Sequence, residues 1–175
     1  MRVFGLGIAA MMMVAVPGTA AAQEANFDWD APSLRDTWGE FDYAKLSSLI
    51  EELGGAAELA NDTNNREYLS VDLGNNVRAS VWVFCSEEMG CVGLRMTTSI
   101  QYTGQTVEAL NAATKDFENN NPFIQLFVSG DRIWVTRYMG ARYGTNKGNV
   151  AMTISDFYSQ IVKLRDEANA AFASN

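Results

Sequence analysis

The chain has two cysteines, and both fall in the stretch VWVFCSEEMGCVGLRM, as Cys85 and Cys91. Thiols at this spacing can form a disulfide, work as a redox pair or supply half of a metal clip. Cys85 ends one expected strand and Cys91 begins the next, which makes SEEMG a hairpin loop, and cysteines flanking such a loop can lie across the ladder within disulfide reach. A redox pair is more often spaced C-x-x-C at a helix start, and a metal clip needs two further ligands. The reading is therefore a structural staple worth about 2 kcal/mol. A labile or regulatory thiol pair and a metal clip stay open as alternatives. If Cys85 faces Cys91, then Phe84 faces Val92, Trp82 faces Leu94 and Ser80 faces Met96 on the expected core side. Val83 then faces Gly93 and Val81 faces Arg95 on the other side, and a bulge would reverse the assignment.

Other residue groups offer less chemistry. The chain holds no histidine, which removes the usual general base near neutral pH and the commonest zinc ligand. Glu87 and Glu88 are adjacent on the same loop and read as solvated carboxylates rather than an acid–base pair. Asp28, Asp30 and Asp36 lack the glycine and closing glutamate of a calcium loop. No nucleophile elbow accompanies the serines. The pattern thus names no catalytic residue, no cofactor and no metal ligand. The hairpin PFIQLFVSGDRIWVTRYM is more informative. A two-residue turn at Gly130-Asp131 pairs Val128 with Ile133, Leu126 with Val135 and Ile124 with Arg137 on one face. It pairs Phe127 with Trp134, Gln125 with Thr136 and Phe123 with Tyr138 on the other. The aliphatic face reads as core. The aromatic face of Phe123, Phe127, Trp134 and Tyr138 is the candidate partner-binding surface, unless the segment carrying Trp29 and Trp38, or a second subunit, covers it.

The N-terminus reads MRVFGLGIAAMMMVAVPGTAAAQEANF: one arginine, an apolar run from Val3 to Val16, then Pro-Gly and small residues. That is the anatomy of a secretory signal peptide spanning residues 1–22, cut before Gln23, and the run is too short to span a membrane. The expected location is periplasmic or secreted, with no membrane association after cleavage. Of 175 residues, 153 then remain, enough for one domain. Loss of Arg2 takes the formal charge from −8 to −9, which disfavours nucleic acid as a partner.

The elements that must position these residues follow from periodicity and turn chemistry. Residues 23–40 read as an extended lead-in, and 41–175 as a single domain. FDYAKLSSLIEELGG spaces Tyr43, Leu46, Ile50 and Leu53 as a helix with Asp42 as N-cap. Four strands follow, around AAELA, REYLSVDLG, NVRASVWVFC and CVGLRMTTSIQY. TVEALNAATKDFENN is a second helix, then comes the hairpin, and MTISDFYSQIVKLRDEANAAFA is a third helix with Thr153 as its cap. The order α-β-β-β-β-α-β-β-α predicts an α+β fold, an antiparallel sheet with helices on one face.

The ordered features YAKLSSLIEELGG, REYLSVDLGNNVRASVWVFCSEEMGCVGLRM, TVEALNAATKDFENNNPFIQLFV and GNVAMTISDFYSQIVKLRDE resemble the YbjN-domain family, over about residues 40 to 172. That family carries, by conjecture, the label of bacterial sensory transduction regulators. The resemblance implies a fold similar to type III secretion chaperones, often dimeric, with no catalytic set or cofactor, and an export signal sets this chain apart. The functional expectation is a non-enzymatic exported binding or chaperone-like protein, in one version regulatory. It would hold a peptide, protein or small ligand on its aromatic sheet face. The alternative is a structural or assembly subunit whose aromatic face is a homodimer interface, and a third reading is a hydrolase using carboxylates alone.

Overall fold

In the computed structural model, which describes residues 27–173, six strands form one antiparallel sheet in the order β2-β3-β4-β5-β7-β6. The strands are β2 (Ala56–Asn61), β3 (Glu67–Asp72), β4 (Arg78–Ser86), β5 (Gly90–Gln101), β6 (Gln125–Ser129) and β7 (Arg132–Gly140). Three helices, α1 (Tyr43–Glu52), α2 (Val107–Asn120) and α3 (Lys147–Ala173), accompany the sheet. The expected α+β layout and element order are what the structure shows. The expected leader lies outside the described residues, as do residues 23–26 of the lead-in.

Alternation on the strands and helical stripes meet on one side of the sheet. Leu69, Val71, Val81, Leu94, Met96, Ile133 and Val135 point inward from the strands, and Leu46, Ile50, Leu110, Phe157, Ile161 and Leu164 point inward from the helices. All are buried, so a single core stands between helices and sheet. The helix starts are set by side chains that satisfy free amides. Asp42 Oδ1 accepts from Lys45 N at 3.0 Å, and Thr106 Oγ1 accepts from Ala109 N at 3.2 Å.

The third helix departs from its expected start. It begins at Lys147, more than a turn before Thr153, and Asn146 Oδ1 caps it by accepting from Asn149 N at 2.7 Å. Thr153 is an interior residue whose hydroxyl donates to the Asn149 carbonyl at 2.7 Å. The lead-in explains the longer helix. A 3₁₀ turn at Pro32–Arg35 sits against it, and β1 (Thr37–Trp38) pairs with β8 (Thr145–Asn146), two short strands that the periodicity did not show. Lys147 N donates to Asp36 O at 3.0 Å. A Cβ at Gly148 would lie 3.2 Å from the Leu34 carbonyl, so a larger residue there would have to push this segment back by a few tenths of an ångström. Trp38 is buried by the docking, whereas Trp29 stays exposed with its ring edge-on to Phe27.

Below the sheet, Tyr102 is buried between β5 and the end of α3. Its ring meets Phe172 edge-on, and its hydroxyl donates to the Arg165 carbonyl at 3.5 Å. Burial is the main cause that pushes its phenol from the ordinary 10.0 up to about 12. Arg165 opposes the rise and Asp166 adds to it. Because the folded value is the higher one, this contribution is intact below pH 10.0 and is lost as pH rises toward about 12, where only the unfolded chain ionises readily. Urea melts at about pH 9 and about pH 11 should therefore show a smaller alkaline loss for Tyr102→Phe than for the parent.

Candidate binding face

The side of the sheet away from the helices is concave and open, and its residues are set by register. The β4–β5 hairpin differs here from the expected pairing. Ser86 opposes Gly90, but Phe84 opposes Gly93, Val83 opposes Leu94, Trp82 opposes Arg95 and Val81 opposes Met96. A bulge at Cys91-Val92, two residues facing Cys85 alone, shifts the register by one. Backbone bonds hold it in place: Phe41 N donates to Cys91 O at 2.7 Å and Ala141 N to Val92 O at 2.8 Å. The consequence is that Val81, Leu94 and Met96 line the core while Ser80, Trp82, Phe84 and Arg95 turn to the open face. The assignment of Ser80, Trp82 and Phe84 to the core side, and of Val81 to the other side, is thereby corrected. Cys85 and Cys91 are joined, with an S–S distance of 2.05 Å, at the exposed end of this hairpin.

The second hairpin has the pairing read from its turn as far as Gln125, and the expected Ile124–Arg137 and Phe123–Tyr138 pairs are not part of it. Gln125 opposes Thr136, Leu126 opposes Val135, Phe127 opposes Trp134 and Val128 opposes Ile133. Three of the four candidate rings come together on the open face. Phe127 and Trp134 are parallel within 2°, with centroids 5.8 Å apart, and Tyr138 stands on the same face of β7. Phe127 and Tyr138 are 52% and 58% exposed. The fourth does not join them. The β6–β7 ladder ends at Gln125↔Thr136, and Phe123, 71% exposed, lies beside Arg137 with the guanidinium carbon 5.9 Å from its ring. Arg137 points to the helical side, where it reaches Asp156 of α3 at 3.5 Å. Pro122 and the Asn121 turn carry Phe123 off the strand before it can pair with Tyr138.

Across the middle of this face runs a polar row that no single strand reveals. Ser70 opposes Ser80, Ser80 opposes Thr97, Thr97 opposes Thr136, and Thr136 opposes Gln125. On one flank, Trp82 and Tyr138 are the cross-strand neighbours of Arg95. The Arg95 guanidinium stands 5.7 Å from the Trp82 ring and 5.2 Å from the Phe84 ring, a geometry of cation–π attraction. Tyr68 stacks on Trp82 at 4.8 Å, and Arg66 approaches the same ring at 5.4 Å while bonding Asp62. Gly93 allows this crowding, since a Cβ there would lie 3.1 Å from Phe84 Cβ. On the other flank stand Phe127 and Trp134.

Together these residues bound a depression of about 680 Å³. Its lining includes Arg78 and Arg95 and no carboxylate, in a chain of formal charge −8. None of residues 27–40, the described part of the lead-in, lines it. Among the described residues no three histidine, cysteine, aspartate or glutamate side chains gather as a metal site, and no helix is long and apolar enough to cross a membrane. Asp28 instead accepts from Asp30 N at 3.0 Å in a local turn. Sequence reasoning missed Trp82, Arg95 and the hydroxyl row. The alternation of polar residues on β4 and β5 was visible, but the bulge that brings the two sets to one face was not.

No family model and no curated protein matches the chain. Among solved structures it is similar to the crystal structure of YbjN from E. coli, described as "a putative transcription regulator". The TM-score is 0.58 at 14% identity, over 74% of this chain and 92% of that one. The chain has a YbjN-like fold. The likeness spans nearly the whole of the other protein. At this identity the likeness shows the fold alone.

Proposed function

We propose that this is a non-enzymatic binding protein, exported and oxidised, that holds its ligand on the open face of the sheet. The observation that carries the reading is the uncovered depression with aromatic flanks, a hydroxyl floor and arginine but no carboxylate. Apolar rings in such numbers beside convergent polar groups are what a recognition surface needs. The lining has no carboxylate pair for glycoside hydrolysis, which argues against the hydrolase reading at this site. The Cys85–Cys91 disulfide is consistent with an oxidising compartment and so with the leader-like N-terminus.

The test is a chemical-shift screen of the labelled protein against oligosaccharides and hexapeptides, together with sedimentation. Shifts gathered on Trp82, Arg95, Thr97, Trp134 and Tyr138 in a monomer support the proposal. A stable dimer that buries these residues would support the assembly-subunit reading instead. Trp134→Ala and Tyr138→Ala should abolish such shifts while destabilising the fold far less than Ile133→Ala, whose fully buried side chain should cost about 2–5 kcal/mol in urea melts.

A further inference from the structure

Resting on the reading of the open face as a ligand surface, we infer that its occupant is an acidic oligosaccharide, a chain of hydroxylated rings bearing carboxylates. The chain lies across the strands along the polar row, with a carboxylate on Arg95. The row from Ser70 to Gln125 crosses four strand-to-strand steps, about 19 Å at the usual sheet spacing, long enough for several rings in series. Among the described residues the side chains of Ser70, Ser80 and Gln125 have no hydrogen-bond partner, and the Thr97 and Thr136 hydroxyls, 3.4 Å apart, meet only each other. Four hydroxyls and one amide spaced at the strand interval offer donors and acceptors in series to a ligand that is itself rich in hydroxyls.

Strand pairing, charge and symmetry separate this occupant from others. An extended peptide satisfies its backbone by adding to a sheet edge, but β3, β4, β5 and β7, which carry most of the row, are each paired on both sides. Their amides are unavailable, so recognition here runs through side-chain hydroxyls, flat rings and a guanidinium. The parallel Phe127 and Trp134 rings suit the apolar face of a sugar ring.

Charge also favours an acidic ligand. Arg95 has no carboxylate partner among the described residues, and its Nε is buried without a hydrogen bond. Its planar fork, held by Trp82 and Phe84, is suited to a bidentate carboxylate, which a neutral glycan does not supply.

Symmetry weighs against a second copy of this chain. A two-fold contact through the centre of this face sets the same patch against itself, bringing depressions lined by Arg78 and Arg95 together in two chains of formal charge −8, with the nearest carboxylates, Asp72 on Arg78 at 3.9 Å and Glu58 opposite Ser70, at one margin. A nucleic acid strand also stacks on rings, but it needs a track of cations, and this lining holds two.

The experiment follows the indole N–H resonances of Trp82 and Trp134, assigned with Trp82→Phe and Trp134→Phe, on addition of four kinds of probe. These are uronate tetramers (galacturonate and mannuronate), maltotetraose, hexaglutamate and a thymidine decamer. The expected result is saturable shifts with at least one uronate tetramer, about tenfold weaker binding of maltotetraose, and about tenfold weaker uronate binding by Arg95→Gln, with the rest of the spectrum unchanged. Thr97→Val, which keeps side-chain shape, should also weaken the uronate. Uronate binding untouched by Arg95→Gln overturns the inference. Tighter binding of maltotetraose, hexaglutamate or the decamer at the same indoles also overturns it while leaving the face a binding site. No probe moving either indole, or a dimer that buries them, overturns both the inference and the reading beneath it.

Discussion

Replacing Phe157 by alanine should remove about 3–5 kcal/mol of folding stability, the largest single loss expected from any side chain considered. Phe157 lies in the middle of α3, fully buried, and is the largest of the side chains shut entirely from solvent. The helix that carries it packs against β7, α1 and α2, and Phe157 belongs to the one core cluster between helices and sheet. Truncation leaves a void that several rigid elements would have to move together to fill, and interiors packed this densely relax only in part. Urea denaturation reads the effect as a shift of midpoint at constant slope. A loss under about 1 kcal/mol would mean that α3 is not packed on this core. The same substitution at Trp134 tests the opposite expectation, because that ring stands on the open side.

Removing the staple is the second large effect. Cys85→Ser together with Cys91→Ser should lower stability by about 2 kcal/mol, from the chain entropy regained by the loop between them. The fold should survive, since the disulfide sits at the exposed end of the β4–β5 hairpin and the core lies elsewhere. The register should survive with it. A slip by one residue would send Leu94 and Met96 to the open face and Arg95 into the core, which costs far more than the loop entropy. Amide cross-peaks between Val83 and Leu94 in the double variant check this. A non-reducing intact mass of the protein recovered from periplasm or medium reads two expectations at once: a chain beginning at Gln23 or a neighbour, with Cys85 linked to Cys91. Free thiols in that sample would exclude the staple, and a retained leader would exclude export by cleavage.

Much of the fold was legible because local physics decided it. Asp42 before an apolar helical stripe, the strands rich in β-branched and aromatic residues, and Gly130-Asp131 between two alternating runs each specify an element within a dozen residues. The pairing of Phe127 with Trp134 followed from the turn alone, since a two-residue loop leaves a hairpin one register. The two cysteines were legible for the same reason, as flanks of one loop. Where the reading went astray, distant residues had intervened. The start of α3 at Lys147 depends on Asp36 and Leu34, more than a hundred residues earlier, which dock there and order the extra turn. Phe123 left the aromatic face because its turn, not its strand, holds it.

What the sequence determines by itself, then, is the main helices and the six strands of the large sheet, their order, the split of the second hairpin into an aliphatic and an aromatic face, and the placing of the two cysteines at the flanks of one loop. The binding face is a product of tertiary structure. One bulge at Cys91-Val92, held by amides of Phe41 and Ala141, decides whether Trp82 and Arg95 are buried or open. Side chains alternate with a period of two, so a shift of one residue exchanges the two faces of a strand, and long-range hydrogen bonds settle which way it goes. The hydroxyl row needs five strands in register before it exists, because each contributes one residue and the spacing between them is that of the sheet.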